Sequence, residues 1–256
     1  MLTMKIIAKF LFTVFILCFS TTGMSQSETD HSGSWYNPAR NGEGFHIQFL
    51  EADQALVIWF TYPGTSDNAQ TEQAWILGIG EVVSGKIIVT DAIKASGPVF
   101  GEDYDKEDVA RTIWGDISVT FSGPDNGMVK YDGLDGAGTT QITRITTLAD
   151  SAISSSLPAG ISGAWFDPAT DGQGWFVEIL SPSAALVYWF TYDQNGNQAW
   201  NLGVGTIYAN KVVLSESRSG KGTFFGTAFK PEDIEQVLFG MLTLEFHSCS
   251  TGRMAY

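Results

Sequence analysis

From residue 33 onward, runs of β-branched and aromatic residues alternate with breaks rich in Gly, Pro, Asn and Asp. No long stretch carries the 3.6-residue period of an amphipathic helix, whereas many runs alternate with the period of two that a half-buried strand requires. The pattern predicts strands near residues 33–37, 44–51, 55–62, 73–83, 86–93, 112–122, 127–131 and 140–146. Short strands joined by short turns form an antiparallel meander, and curling the meander into a barrel removes edges that would otherwise pair with other chains. One helical turn is expected before Trp114, at Lys106 to Val109, with a match at Pro231 to Ile234, where Pro suits a first helical position.

The same pattern is written twice. The segment Ser32 to Phe45 (SGSWYNPARNGEGF) returns as Ser162 to Trp175 (SGAWFDPATDGQGW), and Ala55 to Tyr62 returns as Ala185 to Tyr192, both at an offset of 130. Gln73 to Gly80 then matches Gln198 to Gly205 at an offset of 125, which persists to Tyr131 against Tyr256. The five extra residues of the first copy fall in a turn, which in the second copy reads Asp193-Gln194-Asn195-Gly196-Asn197; Asn-Gly supplies the positive φ of a tight hairpin. The second copy has no counterpart of Asp132 to Leu148, and so lacks the alternating segment Gln141 to Ile145. The expected fold is all-β: two tandem antiparallel β-meander units, barrel-like, the second truncated. The boundaries are 1–25 for a signal peptide, 26–31 for a short linker, 32–148 for the first unit, 149–161 for a Ser/Ala/Gly/Pro-rich linker and 162–256 for the second unit, without its last strand.

Charge and leader narrow the setting. Lys5 and Lys9 precede the apolar run Phe10 to Phe19 and the small, polar stretch Ser20 to Ser25, the three-part layout of a secretory signal cleaved near Ser25 or Gln26. A retained anchor and lipidation at Cys18 are the alternatives; Leu17 is bulky where a lipoprotein signal has a small residue. Cleavage leaves 12 basic against 28 acidic residues, a net charge of −16, which repels nucleic acid and anionic lipid. The expected location is secreted or periplasmic, with no membrane span after cleavage. Cys249 then has no intrachain partner, so the core alone must stabilise the mature chain.

Gly33-Ser34-Trp35 resembles the Gly-x-Trp that opens the first strand of the calycin barrels, the lipocalins and avidins, and Trp35-Tyr36-Asn37 is similar to the avidin wording. The resemblance implies a barrel whose tryptophan closes one end beneath a basic residue of the last strand, here Arg144. Pro38 departs from the avidin pattern, so biotin is not implied. The full Trp-Tyr-Asn-Pro…Gly-x-Gly and Trp-Phe-Thr-Tyr pattern is also similar to a repeat of secreted bacterial proteins of unsettled function.

Candidate chemistry is sparse. His31, His46 and His247 do not recur between the copies, and no nucleophile elbow or metal-ligand spacing accompanies them, so each reads as a plain surface or strand residue. The acidic run Glu102 to Asp108 keeps only Glu107 and Asp108 in its counterpart Glu232 and Asp233, which suits charge at a helix N-terminus better than a carboxylate pair for glycoside hydrolysis. The pairs Gly42, Gly44 and Gly172, Gly174 read as turn or bulge residues, since no helix follows them to bind phosphate. Trp35, Trp165 and Arg144 are assigned structural roles.

Repeated aromatics are the one peculiarity. Val57, Trp59 and Thr61 share one face of their strand, and Ile58, Phe60 and Tyr62 the other, so both faces are apolar. Either the two units pack there, or one face lines a ligand pocket. The candidate ligand-binding residues are Tyr36, Trp59, Tyr62 and Trp75, with Phe166, Trp189, Tyr192 and Trp200 as counterparts. The expected function is an exported, non-enzymatic module recognising a small uncharged or cationic ligand or a glycan through aromatic faces. The alternatives are a structural or adhesive repeat protein and a carboxylate-dependent hydrolase. No cofactor, metal or nucleic-acid partner is expected.

Overall fold

The computed structural model describes residues 31–65, 72–146, 156–157 and 160–256. The first unit is a closed antiparallel barrel of eight strands: β1 (Gly33–Tyr36), β2 (Gly44–Glu51), β3 (Gln54–Thr61), β4 (Ala74–Val83), β5 (Lys86–Ser96), β6 (Ala110–Gly123), β7 (Asn126–Gly133) and β8 (Gly136–Arg144). The closing seam pairs Trp35 with Arg144 and Tyr36 with Thr143. The second unit is a curled seven-stranded sheet: β9 (Gly163–Trp165), β10 (Gly174–Ser181), β11 (Ala184–Tyr192), β12 (Gln198–Tyr208), β13 (Lys211–Lys221), β14 (Glu235–Phe246) and β15 (Gly252–Ala255). The chain is therefore all-β, with two barrel-like units.

The expected repeat register is reproduced residue by residue. Trp59 and Trp189 both lie on the third strand of their unit, opposite Phe45 and Trp175, and both second strands carry a bulge after Phe49 and Ile179. The strands match the expected ones, with β5 and β8 longer: β8 starts at Gly136 because Gly136 and Gly138 extend the ladder that Thr140 continues. The turns expected at Lys106 and Pro231 are single 3-10 turns. A further pair, at Pro38–Arg40 and Pro168–Thr170, follows Asn37 and Asp167, whose side chains accept from the N–H two residues on.

Period-two patterning sorts the residues into three cores. Trp35, Phe45, Val57, Trp59, Trp114, Ile142 and their neighbours fill the first barrel. Val177, Val187, Trp189, Leu214, Leu242 and Phe246 fill the second, joined by Leu157 and Ile161 from the linker. The third core lies between the units.

The signal peptide 1–25, residues 26–30, the extra turn residues 66–71 and most of the linker lie outside the described residues. Cys18 also lies outside the described residues.

Candidate functional site

The outward faces of β3 and β4 meet those of β11 and β12 about a pseudo-twofold axis. Ile58, Phe60, Tyr62 and Trp75 of one unit pack against Leu186, Tyr188, Tyr192 and Trp200 of the other. The hydrogen bonds obey the same symmetry. Trp75 Nε1 donates to Thr191 O at 3.2 Å and Trp200 Nε1 to Thr61 O at 3.1 Å. Gln73 Nε2 donates to Trp200 O at 3.0 Å while its Oε1 accepts from Trp200 N at 3.0 Å. Gln198 does the same for Trp75, at 2.7 and 3.2 Å. Each glutamine thus gives edge backbone groups partners that would otherwise be buried unmade.

The glycines of the Gly-x-Gly motif have their reason here. Gly42 and Gly172 adopt φ of +110° and +111°, and a Cβ there would collide with Ile234 and Val109, each from the opposite unit. Tyr62 and Tyr192 donate to the Gly42 and Gly172 carbonyls at 2.9 and 3.1 Å. Beyond them, each unit lends the other a phenylalanine. Phe225, from the β13–β14 connection, sits 4.7 Å from Trp59, 5.7 Å from Trp114 and 5.5 Å from Tyr131 inside the first barrel. Its counterpart Phe100, from the β5–β6 connection, lies 5.4 Å from Trp189 and 5.3 Å from Tyr256 in the second.

Two buried polar clusters break the symmetry. Glu178, wholly buried, accepts from Ser34 Oγ and His46 Nδ1 at Oε1 and from Thr146 Oγ1 at Oε2, all at 2.6 Å. Ser34 Oγ uses its hydrogen on Glu178, so at 2.8 Å it accepts from Tyr188 O–H. Burial pushes the Glu178 carboxyl up, but the hydrogen bonds and charge of His46, with Ser34 and Thr146, more than offset it and hold it below the usual range. Burial, then the Glu178 charge, raises the Tyr188 phenol well above its ordinary value. The second cluster joins Arg40 and Glu43 in an ion pair, with Thr61 Oγ1 donating to Glu43 at 2.6 Å and Arg40 Nη1 donating to Gly226 O at 3.0 Å. Here burial prevails over Arg40 and raises the Glu43 carboxyl. The equivalent pair in the second unit is neutral, Thr191 donating to Gln173 at 2.7 Å.

Of the eight candidate ligand-binding residues, Trp59 and Trp189 are interior to the two units, and Tyr62, Trp75, Tyr192 and Trp200 are buried between them. Only Tyr36 and Phe166, at the ends of the first strands, keep part of their surface. Packing thus accounts for the apolar outer face of β3. The Arg144 guanidinium lies 5.6 Å from the Trp35 ring, the contact expected of these two residues. His46 departs from a plain strand role. Its signal was legible as mismatches in the repeat: Ser34, His46, Glu178 and Tyr188 stand against Ala164, Phe176, Gln48 and Ile58, and these four converge. The acidic run serves a turn: Asp105 caps it by accepting from Glu107 N at 2.9 Å.

Among the described residues, no group of three or more His, Cys, Asp or Glu is placed to hold a metal ion, and no helix is long and apolar enough to cross a membrane. A polar cleft of about 260 Å³ lies between the units, lined by Lys106, Glu107, Val109, Arg111, Pro168 and Asp171, and is spanned by an Arg111–Asp171 ion pair at 3.1 Å. No family model, curated protein or solved structure matches the chain.

Proposed function

We propose that this chain is an exported structural or adhesive module, in which the repeated aromatics weld two barrel-like units into one acidic body rather than receive a ligand. The observation that carries this reading is the reciprocal burial of Tyr62, Trp75, Tyr192 and Trp200 with their matched hydrogen bonds. Aromatics that interlock in this way are spent on packing, and a ligand reaching them would have to separate the units. Export rests on the leader pattern at Lys5 to Ser25. Surface recognition by such a body favours cationic or neutral partners, because the mature charge of −16 repels anions.

The reading of a small-ligand module keeps one specific support, the partial exposure of the repeat-matched pair Tyr36 and Phe166. Titrating the mature protein with a glycan and cation panel, followed by tryptophan fluorescence, separates the two. The structural reading expects no saturable change. A saturable change that Tyr36→Ala or Phe166→Ala abolishes would overturn it in favour of the ligand reading.

A further inference from the structure

We propose that the face where the two units meet carries a directional pairing code, written in unlike residues at repeat-matched positions, which makes a unit of the second type the partner of a unit of the first and rejects like pairs. This inference rests on the packing reading given above. Because the units dock about a pseudo-twofold axis, each residue of the face meets its partner on one side of the axis while its counterpart meets the matching partner on the other. The contacts of Trp75 with Thr191 and of Trp200 with Thr61 are the same in either direction, as are those of Gln73 with Trp200 and of Gln198 with Trp75. Such contacts hold two units together. They cannot tell a first unit from a second, since each unit carries both halves.

The unlike contacts supply the direction. On one side of the axis Ser34 Oγ and His46 Nδ1 of the first unit bond Glu178 of the second at 2.6 Å, and Tyr188 joins Ser34 at 2.8 Å. On the other side the matched residues are Ala164 and Phe176 against Gln48 and Ile58, and Gln48 accepts from Ala164 N at 3.1 Å. The periphery repeats the sense. Arg40 of the first unit donates to Gly226 O at 3.0 Å and lies 4.2 Å from the centre of the Phe229 ring, and Arg111 donates to Asp171 at 3.1 Å. The counterparts of the two arginines, Thr170 and Gln236, are neutral, and so is Asn41, which matches Asp171. In each case the basic side chain comes from the first unit, and Glu178, Gly226 or Asp171 of the second receives it.

Like pairs would lose these partners. Two faces of the second type would bring Glu178 against Ala164 and Phe176, neither of which has a side-chain donor, and leave a wholly buried carboxylate without the bonds that hold it. Two faces of the first type would set Ser34 and His46 against Gln48, and Arg111 against Asn41, so that no carboxylate stands at either matched position. The unmet charge is the discriminating element, because specificity between similar partners comes from what the wrong pair leaves unsatisfied.

The test converts each face within the full-length protein. One variant gives the first unit a second-type face (Ser34→Ala, His46→Phe, Gln48→Glu, Ile58→Tyr), and another gives the second unit a first-type face (Ala164→Ser, Phe176→His, Glu178→Gln, Tyr188→Ile). A third carries all eight changes, which reverses the direction of the code. Docking is read from exchange of the Trp75 and Trp200 amide hydrogens, which are donated to Gln198 and Gln73 of the opposite unit. In each four-residue variant these amides should exchange faster by on the order of a hundredfold, the cost of a buried pair broken on one side. The eight-residue chain should regain most of the lost protection. Four-residue variants that exchange like the wild type would overturn the proposal. An eight-residue chain no better protected than either would also overturn it, since a core that merely resists change worsens with every substitution. The ligand titration reports on the packing reading separately, because no variant in this set alters Tyr36 or Phe166.

Discussion

The buried His46–Glu178 contact is costly to break singly, because removing one partner leaves the other buried with an unmet charge or lone pair. His46→Phe should destabilise the chain by about 3 kcal/mol. The pair His46→Phe with Glu178→Gln, which installs the residue types already present at Phe176 and Gln48, should recover most of that loss in urea denaturation. A double variant as unstable as the two single losses added together would sink the interpretation. The direction of the Glu178 shift sets an acid dependence. Its folded value lies below the ordinary 4.5, so its stabilisation is complete above that value and drains away as pH falls through the folded one. Glu43 is raised, so its contribution has the opposite sign and is lost as pH rises through its folded value. Comparing the wild type with Glu178→Gln across acid pH isolates the first effect: the wild type should lose more stability between neutral pH and pH values below about 4.

At the scale of elements, the plug loops and the first strands differ between the units in ways that stability measurements can read. Phe225 is almost wholly buried among Trp59, Trp114 and Tyr131, while Phe100 keeps part of its surface. Phe225→Ala should therefore cost about 3–5 kcal/mol and Phe100→Ala distinctly less, since the cavity term grows with the space left behind. Equal losses would mean that the two mouths are packed alike. Among the described residues, strand β1 is hydrogen-bonded on both sides and β9 on one. Amide exchange should consequently be faster across residues 163–165 than across 33–36, and slower exchange in the second unit would contradict that difference.

For the whole molecule, a third core shared by both units and a phenylalanine exchanged in each direction couple their unfolding. Denaturation followed by tryptophan fluorescence should give one cooperative transition. Gln73→Ala, which strips partners from the Trp200 backbone, should lower its midpoint without splitting it. Two resolved transitions in the wild type would mean that the interface contributes less than its burial implies. The pseudo-twofold arrangement behaves as an isologous interface within one chain, so every repeated contact counts twice.

The sequence by itself determined the strands, their order and the doubling, because period-two patterning and turn residues are local and the repeat offsets preserve register. The Trp35–Arg144 contact was implied by the resemblance of Gly33-Ser34-Trp35 to the opening strand of other barrels, and the two residues meet across the closing seam. Only the tertiary structure decided what the second apolar face of β3 is for. Ile58, Phe60 and Tyr62 look the same whether they line a pocket or meet another sheet, and which surface they meet depends on how two units whose matching residues lie 125 to 130 positions apart dock. The same holds for Phe225, Gln73 and Glu178: Phe225 N donates to Pro63 O, Gln73 bonds Trp200 127 residues away and Glu178 bonds His46 132 residues away. No periodicity carries that information, because it is created by the docking of the units.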